Sequence, residues 1–262
     1  MSQTRGGECY DAPQYWDLAF CSETPQEADF IEAACAKYAE HPVHTLLEPG
    51  CGGGRLVLEM AKRGYDVTGF DLNEPAIAYV KRRLRRRRLD ANVYLQDMTD
   101  FDLPAPVDAA FNLMNTFRHL LDEQSALKHL AAVARNVKPG GVFLLGFHLL
   151  PPDADLEDRE GWSERQGATR VRMTLKVLST DRQTRLERIR FRMHVRTSRT
   201  AREYVSEYPL RIYTADQVRA LLSAATQWEL CDVFDFWYDI DEPLTLSDEM
   251  GDTVFVLRRR RN

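Results

Sequence analysis

The densest chemical signal is Leu46-Leu47-Glu48-Pro49-Gly50-Cys51-Gly52-Gly53-Gly54, a run that follows an apolar stretch and precedes an amphipathic one. Gly50, Gly52 and Gly54 let a backbone turn sharply and let a ligand lie against main-chain atoms with no Cβ in the way; Cys51 fits there as a small side chain. Read from Gly50 and Gly52, the dinucleotide fingerprint Gly-x-Gly-x-x-Gly requires a third glycine at position 55, and that residue is Arg55. Glu48 at the mouth of the loop would repel a pyrophosphate and attract an ammonium group. Asp71 stands 21 positions after Gly50, at the end of the next apolar run, where a carboxylate accepts hydrogen bonds from ribose hydroxyls. A contact of that charged kind is worth about 1.5–3 kcal/mol. Leu72 offers an apolar face to an adenine, Asp97 an acceptor for its amino group, and Met98 a lining for the ring edge. A nucleoside bearing an ammonium group meets all of these conditions, and S-adenosylmethionine is such a molecule.

These residues need a frame. From about residue 44 to 147, short apolar runs alternate with amphipathic stretches, the pattern of βαβ units in a parallel sheet. Strands are predicted at 44–48, 66–71, 93–96, 108–114 and 141–147. Helices are predicted at 54–63, at 75–89 with Asn73 as N-cap, and at 122–136. Thr24-Pro25-Gln26-Glu27 reads as a capping box opening a helix to about Glu40. Beyond the core, 171–178, 186–195 and 203–212 alternate in period two and predict three antiparallel strands. A second capping box at Thr214-Ala215-Asp216-Gln217 opens a helix to about Ala225, and strands return at 228–234 and 253–257. The predicted organisation is an N-terminal helical cover (1–42), a core (43–150 and 213–262) and a β-rich insertion (151–212). Acidic Asp153–Glu160 after Pro151-Pro152 is the expected mobile connection.

Taken together, Leu46–Gly54, Gly69-Phe70-Asp71-Leu72, Gln96-Asp97-Met98, Asp108–Leu120 and Lys138-Pro139-Gly140-Gly141 resemble the class I S-adenosylmethionine-dependent methyltransferases. The resemblance covers roughly 44–147 and resumes over 214–257. It implies an α/β, Rossmann-like, doubly wound seven-stranded sheet of order 3-2-1-4-5-7-6 with the last strand antiparallel, the β insertion serving as a lid. It also implies a cofactor site of Tyr15, Glu48, Gly50, Cys51, Gly52, Gly54, Asp71, Leu72, Asp97, Met98 and Asn115. S-adenosylhomocysteine would be the product. Tyr15-Trp16-Asp17, Asn115-Thr116-Phe117-Arg118-His119 and the insertion are similar to the small-molecule branch, such as glycine/sarcosine and amino-sugar N-methyltransferases. The Asn/Asp-Pro-Pro-Tyr/Phe motif of enzymes acting on planar amide-type nitrogens is replaced by Asn112-Leu113-Met114-Asn115. His119 and His148 fall where acceptors bind in that fold and are the candidate catalytic residues.

Composition narrows the partners. The net charge of −5, with 35 Lys+Arg against 40 Asp+Glu, argues against a nucleic-acid surface over the whole protein. Five scattered cysteines with no Cys-x-x-Cys pair give no metal signal. With no signal-like start and no apolar run of membrane-spanning length, the expectation is a cytoplasmic monomer or homodimer acting on a small-molecule methyl acceptor at N or O, without metal, membrane or nucleic acid. The run Lys81-Arg82-Arg83-Leu84-Arg85-Arg86-Arg87-Arg88 reads as the solvated face of a helix whose inward stripe is Ile77, Val80 and Leu84. The rival readings are an RNA or protein methyltransferase using that helix, a non-catalytic domain that keeps the cofactor pocket, and a dinucleotide oxidoreductase disfavoured by Glu48 and Arg55.

Overall fold

The computed structural model describes residues 4–154 and 159–261. In chain order its elements are β1 (Thr4–Gly7), α1 (Pro13–Ala19), α2 (Thr24–Tyr38), β2 (Thr45–Pro49), α3 (Arg55–Lys62), β3 (Asp66–Asp71), α4 (Glu74–Arg87), β4 (Asn92–Leu95) and β5 (Val107–Asn112). There follow α5 (Glu123–Asn136), β6 (Val137–His148), β7 (Arg159–Gln166), β8 (Thr169–Asp181), β9 (Leu186–Arg196), β10 (Ala201–Arg211), α6 (Ala215–Ala224), β11 (Trp228–Phe234) and β12 (Asp252–Arg259). Single 3-10 turns occupy Cys9–Asp11 and Thr116–His119.

Seven strands form one sheet in the order β11-β12-β6-β5-β2-β3-β4. The pairs within β6-β5-β2-β3-β4 are parallel, whereas β12 runs antiparallel to β6 and β11. Numbered within this sheet, the order is 3-2-1-4-5-7-6 with the last strand antiparallel. Alternation along each strand divides the core. Leu46, Phe111, Leu144 and Val256 face α2, α3 and α4, while Leu47, Phe143, Leu145 and Phe255 face α5 and α6. The helices start where their caps dictate. Asn73 Oδ1 accepts from Ala76 N (2.8 Å), Asp122 Oδ1 from Ser125 N (2.7 Å), and Thr214 and Gln217 close a capping box.

The second sheet has five strands in the order β1-β10-β9-β8-β7. It holds one strand more than expected from the insertion, β7, and a further strand from the N-terminus, β1, which pairs parallel to β10. The sequence hides both, because β1 lies in a glycine-rich start and the outer positions of β7 include Gly161 and Ser163. The N-terminal segment is therefore a strand and two helices rather than helices alone. Val171, Met173, Ile189, Met193 and Val195 of the sheet pack on Leu18, Ala19 and Phe20 at the end of α1. Of the connection expected at Asp153–Glu160, residues 155–158 lie outside the described residues, and Arg159 and Glu160 already belong to β7.

Two local readings are corrected. Helix α2 forms without the capping box at Thr24. Its N-cap is Glu23, in αR conformation, because the chain arrives in a tight turn from α1, and a side-chain cap needs extended backbone. Glu27 instead turns inward, fully buried, and pairs with Arg55. On α4, Ile77, Val80 and Leu84 are buried as expected and Arg85–Arg88 are exposed, but Arg83 is not part of the solvated face. Its Nη1 donates to Asp17 and to the Gly53 carbonyl (2.8 Å).

Candidate active site

A cleft of about 460 Å³ opens at the carboxyl ends of β2, β3, β4 and β5. It lies where the chain order reverses across the sheet, between β2 and β5, the place at which open α/β sheets take ligands. Its floor is the glycine loop, with Glu48, Gly50, Cys51, Gly52 and Gly53. One wall is Asp71, Leu72, Asn73, Gln96 and Met98; the other is Leu113, Met114, Thr116 and His119. Tyr10, Trp16 and Asp17 of the N-terminal segment roof it.

The loop geometry follows from its glycines. Gly54, the N-cap of α3, has φ +72°, and a Cβ there would lie 2.7 Å from Val80 Cγ1. It serves the packing of α3 against α4, and it is absent from the cleft lining. Gly53 lets the Asp17 carboxylate rest directly on the loop, since any Cβ at that position would collide with it.

Charge is concentrated here. Glu48 is only 8% exposed, and its Oε2 is buried with no hydrogen-bond partner among the described residues. Burial raises its pKa well above the ordinary carboxylate value, although Arg55 pulls the other way. A buried carboxylate oxygen without a hydrogen-bond donor is costly, and an ammonium group supplies what it lacks. Asp71 is also raised by burial; its Oδ2 accepts from Gly52 N and its Oδ1 from Asn73 N, both at 2.8 Å. Each oxygen keeps a second lone pair for a hydroxyl donor. Beside them Leu72 is 68% exposed, an apolar surface suited to an aromatic base. Asp17 is driven up to about 6 by burial, against the pull of Arg83 and Arg55.

The other half of the cleft is aromatic. Tyr10 Oη lies 3.3 Å from His119 Nε2 and 2.7 Å from Tyr208 Oη, and the Trp16 ring is centred 4.7 Å from that of Tyr10. Burial, reinforced by Arg118, lowers the His119 pKa to about 4, so the imidazole is neutral near pH 7 and a weaker base than a free one. Arg118 anchors its neighbour. Its Nε donates to the Arg211 carbonyl (2.8 Å) and its Nη2 to Glu187 Oε1 (2.5 Å), both buried.

Of the residues expected from sequence, Glu48, Gly50, Cys51, Gly52, Asp71, Leu72, Met98 and His119 line the cleft together. The remainder fall outside its lining. Tyr15 packs against Tyr204 (6.0 Å between ring centres), and Tyr10 takes the roof position. Asp97 is exposed and spends Oδ1 on the Thr99 backbone and hydroxyl, as a turn former does. Asn115, in αL conformation, accepts from His148 N (2.8 Å) and so holds the end of β6 to the loop after β5. His148 pairs with Asp252 (2.5 Å) and abuts Phe236. Tyr10 escaped the sequence reading, while Asp17 and Arg55, singled out there for the N-terminal motif and against a dinucleotide, were not placed in the cleft that they line. Pro13 at the first position of α1 was the available sign that Tyr10 precedes that helix and is free to face the loop.

The fold and the cleft define the class I methyltransferase architecture, and comparison with known proteins agrees. A family model described as a methyltransferase domain matches residues 46–141, the segment that builds the floor and both walls of the cleft. A ubiquinone biosynthesis O-methyltransferase of Coxiella burnetii is 32% identical over 117 residues, 45% of this chain and 47% of that protein. The chain spans about half the length of the curated relatives it matches. Among solved structures, an S-adenosylmethionine-dependent methyltransferase from Clostridium acetobutylicum superimposes with TM-score 0.78 at 16% identity, covering 97% of this chain and 100% of that one. CalS10, an amino pentose methyltransferase from Micromonospora echinaspora, does so with TM-score 0.69 at 23% identity, covering 99% and 100%. Both sheets are thus shared with methyltransferase structures over nearly the whole chain. Among the described residues no helix is long and apolar enough to cross a membrane.

Proposed function

We propose that the protein is an S-adenosylmethionine-dependent methyltransferase acting on a small-molecule acceptor at nitrogen or oxygen. The observation that carries this reading is the cleft itself, where Glu48, with a buried Oε2 that has no hydrogen-bond partner among the described residues, the Asp71 carboxylate and exposed Leu72 lie within one wall and floor. Glu48 receives the ammonium group, Asp71 the ribose hydroxyls, and Leu72 with Met98 the adenine. When bound, S-adenosylmethionine supplies a sulfonium methyl open to in-line attack.

The chain's own residues bind and align. Tyr10 and Trp16 roof the cleft and exclude water, and His119 orients the acceptor or receives its proton. The second sheet acts as a lid, because Tyr208 brings it into contact with Tyr10 and His119. Holding two reactants in line accounts for up to about 7–11 kcal/mol of a barrier. The related O-methyltransferase and the amino pentose enzyme support a small acceptor and leave oxygen and nitrogen both open.

Calorimetry with S-adenosylmethionine tests the reading. Asp71→Ala should weaken binding at least about tenfold, which corresponds to ~1.4 kcal/mol. An unchanged affinity removes the assignment. Release of S-adenosylhomocysteine across a panel of amines and hydroxylated acceptors then identifies the reaction.

A further inference from the structure

The outer face of the five-stranded sheet points away from the cleft, since Tyr204 and Tyr208 mark the inner face. Between Arg159 and Arg211 the sequence has fourteen Lys and Arg against six Asp and Glu, in a chain whose net charge is −5. On β8 and β9 many of the cations alternate onto the outer face, and there they enclose a dish of about 320 Å³. Two rows of paired residues wall it. One row runs Arg159, Lys176 and Arg190 across β7, β8 and β9; the other sets Arg172 opposite His194. The row between them is Gly161, Thr174 and Arg192, in which a glycine and a short threonine leave the floor open.

Like charges set directly opposite each other destabilise a sheet, so the row Arg159–Lys176–Arg190 costs stability with no return in the folded core. Partial relief comes from β10, where Glu207 binds Arg190 (2.6 Å) and Glu203 approaches Arg192 (3.5 Å) and His194 (3.4 Å). Arg172 and Lys176 face Ser163, His194, Arg159 and Arg190 across the strands, and none of these is an acid. Among the described residues, five permanent cations around the dish stand against two carboxylates, an excess of about three positive charges. Forked guanidinium groups match phosphate oxygens in bidentate geometry.

We propose that this dish binds a diphosphate group. Its charge excess equals that of a diphosphate near neutral pH, and its confinement between β7 and β9 fits a compact anion. A nucleic-acid backbone crossing the sheet would meet Glu203 and Glu207 on β10.

The experiment titrates inorganic diphosphate, and separately uridine 5′-diphosphate, into the full chain at low salt. Both bind, with an affinity that falls as salt rises. Replacing Arg172→Gln and Lys176→Gln together weakens both at least tenfold. That variant retains the wild-type melting temperature or exceeds it, because like charges have been removed from the sheet. Asp71→Ala leaves diphosphate binding unchanged, which separates the dish from the cleft. Equal affinity for the two ligands assigns recognition to the phosphates; tighter binding of the nucleotide adds a nucleoside contact to the same site. Absence of binding, or binding indifferent to the double change, overturns the proposal. So does an oligonucleotide that binds more tightly than diphosphate and loses its affinity in the same variant.

Discussion

Glu48 stands next to last in β2, with one oxygen buried and without a hydrogen-bond partner among the described residues, and burial raises its pKa well above the ordinary value. A cationic ligand binds the ionised form. Where free Glu48 is protonated, S-adenosylmethionine must therefore displace a proton, and its affinity should rise with pH until free Glu48 ionises. Calorimetry in two buffers of different ionisation enthalpy should show fractional proton release in the wild type and none in Glu48→Gln. The sign is opposite at His119. Its pKa near 4 keeps it neutral from pH 6 to 10, so an acid limb in kcat over that range does not come from His119, and an amine acceptor losing its own proton produces one. His119→Ala should lower kcat about tenfold, less than the 10²–10⁴ typical of an indispensable acid or base, and the limb should persist. A thousandfold loss with the limb abolished would make His119 a dedicated base. Glu48, Asp71 and the glycines were legible in the sequence, because a strand, a sharp turn and a helix fix their positions within a few residues. Tyr10 and Tyr15 were not separable, since which of two nearby aromatics faces the cleft depends on the second sheet, which packs on α1 from far along the chain.

Helix α4 shows where periodicity stops being informative. The stripe Ile77, Val80 and Leu84 assigns its buried face correctly, yet Arg83 neighbours that stripe and its long side chain can turn inward. There it holds Asp17 of α1 and the carbonyl of Gly53. The result is a latch of three elements over the cofactor loop, closed by a carboxylate that burial drives up to about 6. Arg83→Gln would leave Asp17 buried without its strongest partner. It should lower unfolding stability by about 1–3 kcal/mol and weaken S-adenosylmethionine several-fold as α1 loosens. Arg85→Gln with Arg86→Gln, on the exposed face of the same helix, should change neither. Equal effects from the two sets would show that charge on α4, rather than the latch, governs the loop. The capping box misread at Thr24 has the same origin. Local spacing was satisfied, but Glu27 had a stronger claim on it from Arg55, 28 residues away.

At the scale of the molecule, the two sheets are joined by a partly buried ionic seam beside the acceptor end of the cleft. Arg118 reaches Glu187 of β9 and the Arg211 carbonyl of β10, while Arg211 reaches the Leu121 carbonyl (2.8 Å) and, with Arg185, Glu123 of α5. Period-two alternation revealed that a second sheet exists; this seam, built from residues up to 93 apart in sequence, decides where it sits. Such contacts leave no mark in any single window of sequence. Breaking one partner of a buried pair costs about 3–5 kcal/mol, because the other charge stays desolvated. Glu187→Gln should therefore lower the urea midpoint clearly. It should also reduce kcat more than it changes S-adenosylmethionine affinity, since Arg118 positions His119 while the glycine loop lies at the other half of the cleft. Replacing Arg118 and Glu187 together by Met and Leu should recover much of the stability, as an apolar pair needs no partner, but not the rate. Recovery of both would mean that the seam supports the fold alone and leaves the placement of His119 to its aromatic neighbours Tyr10 and Tyr208.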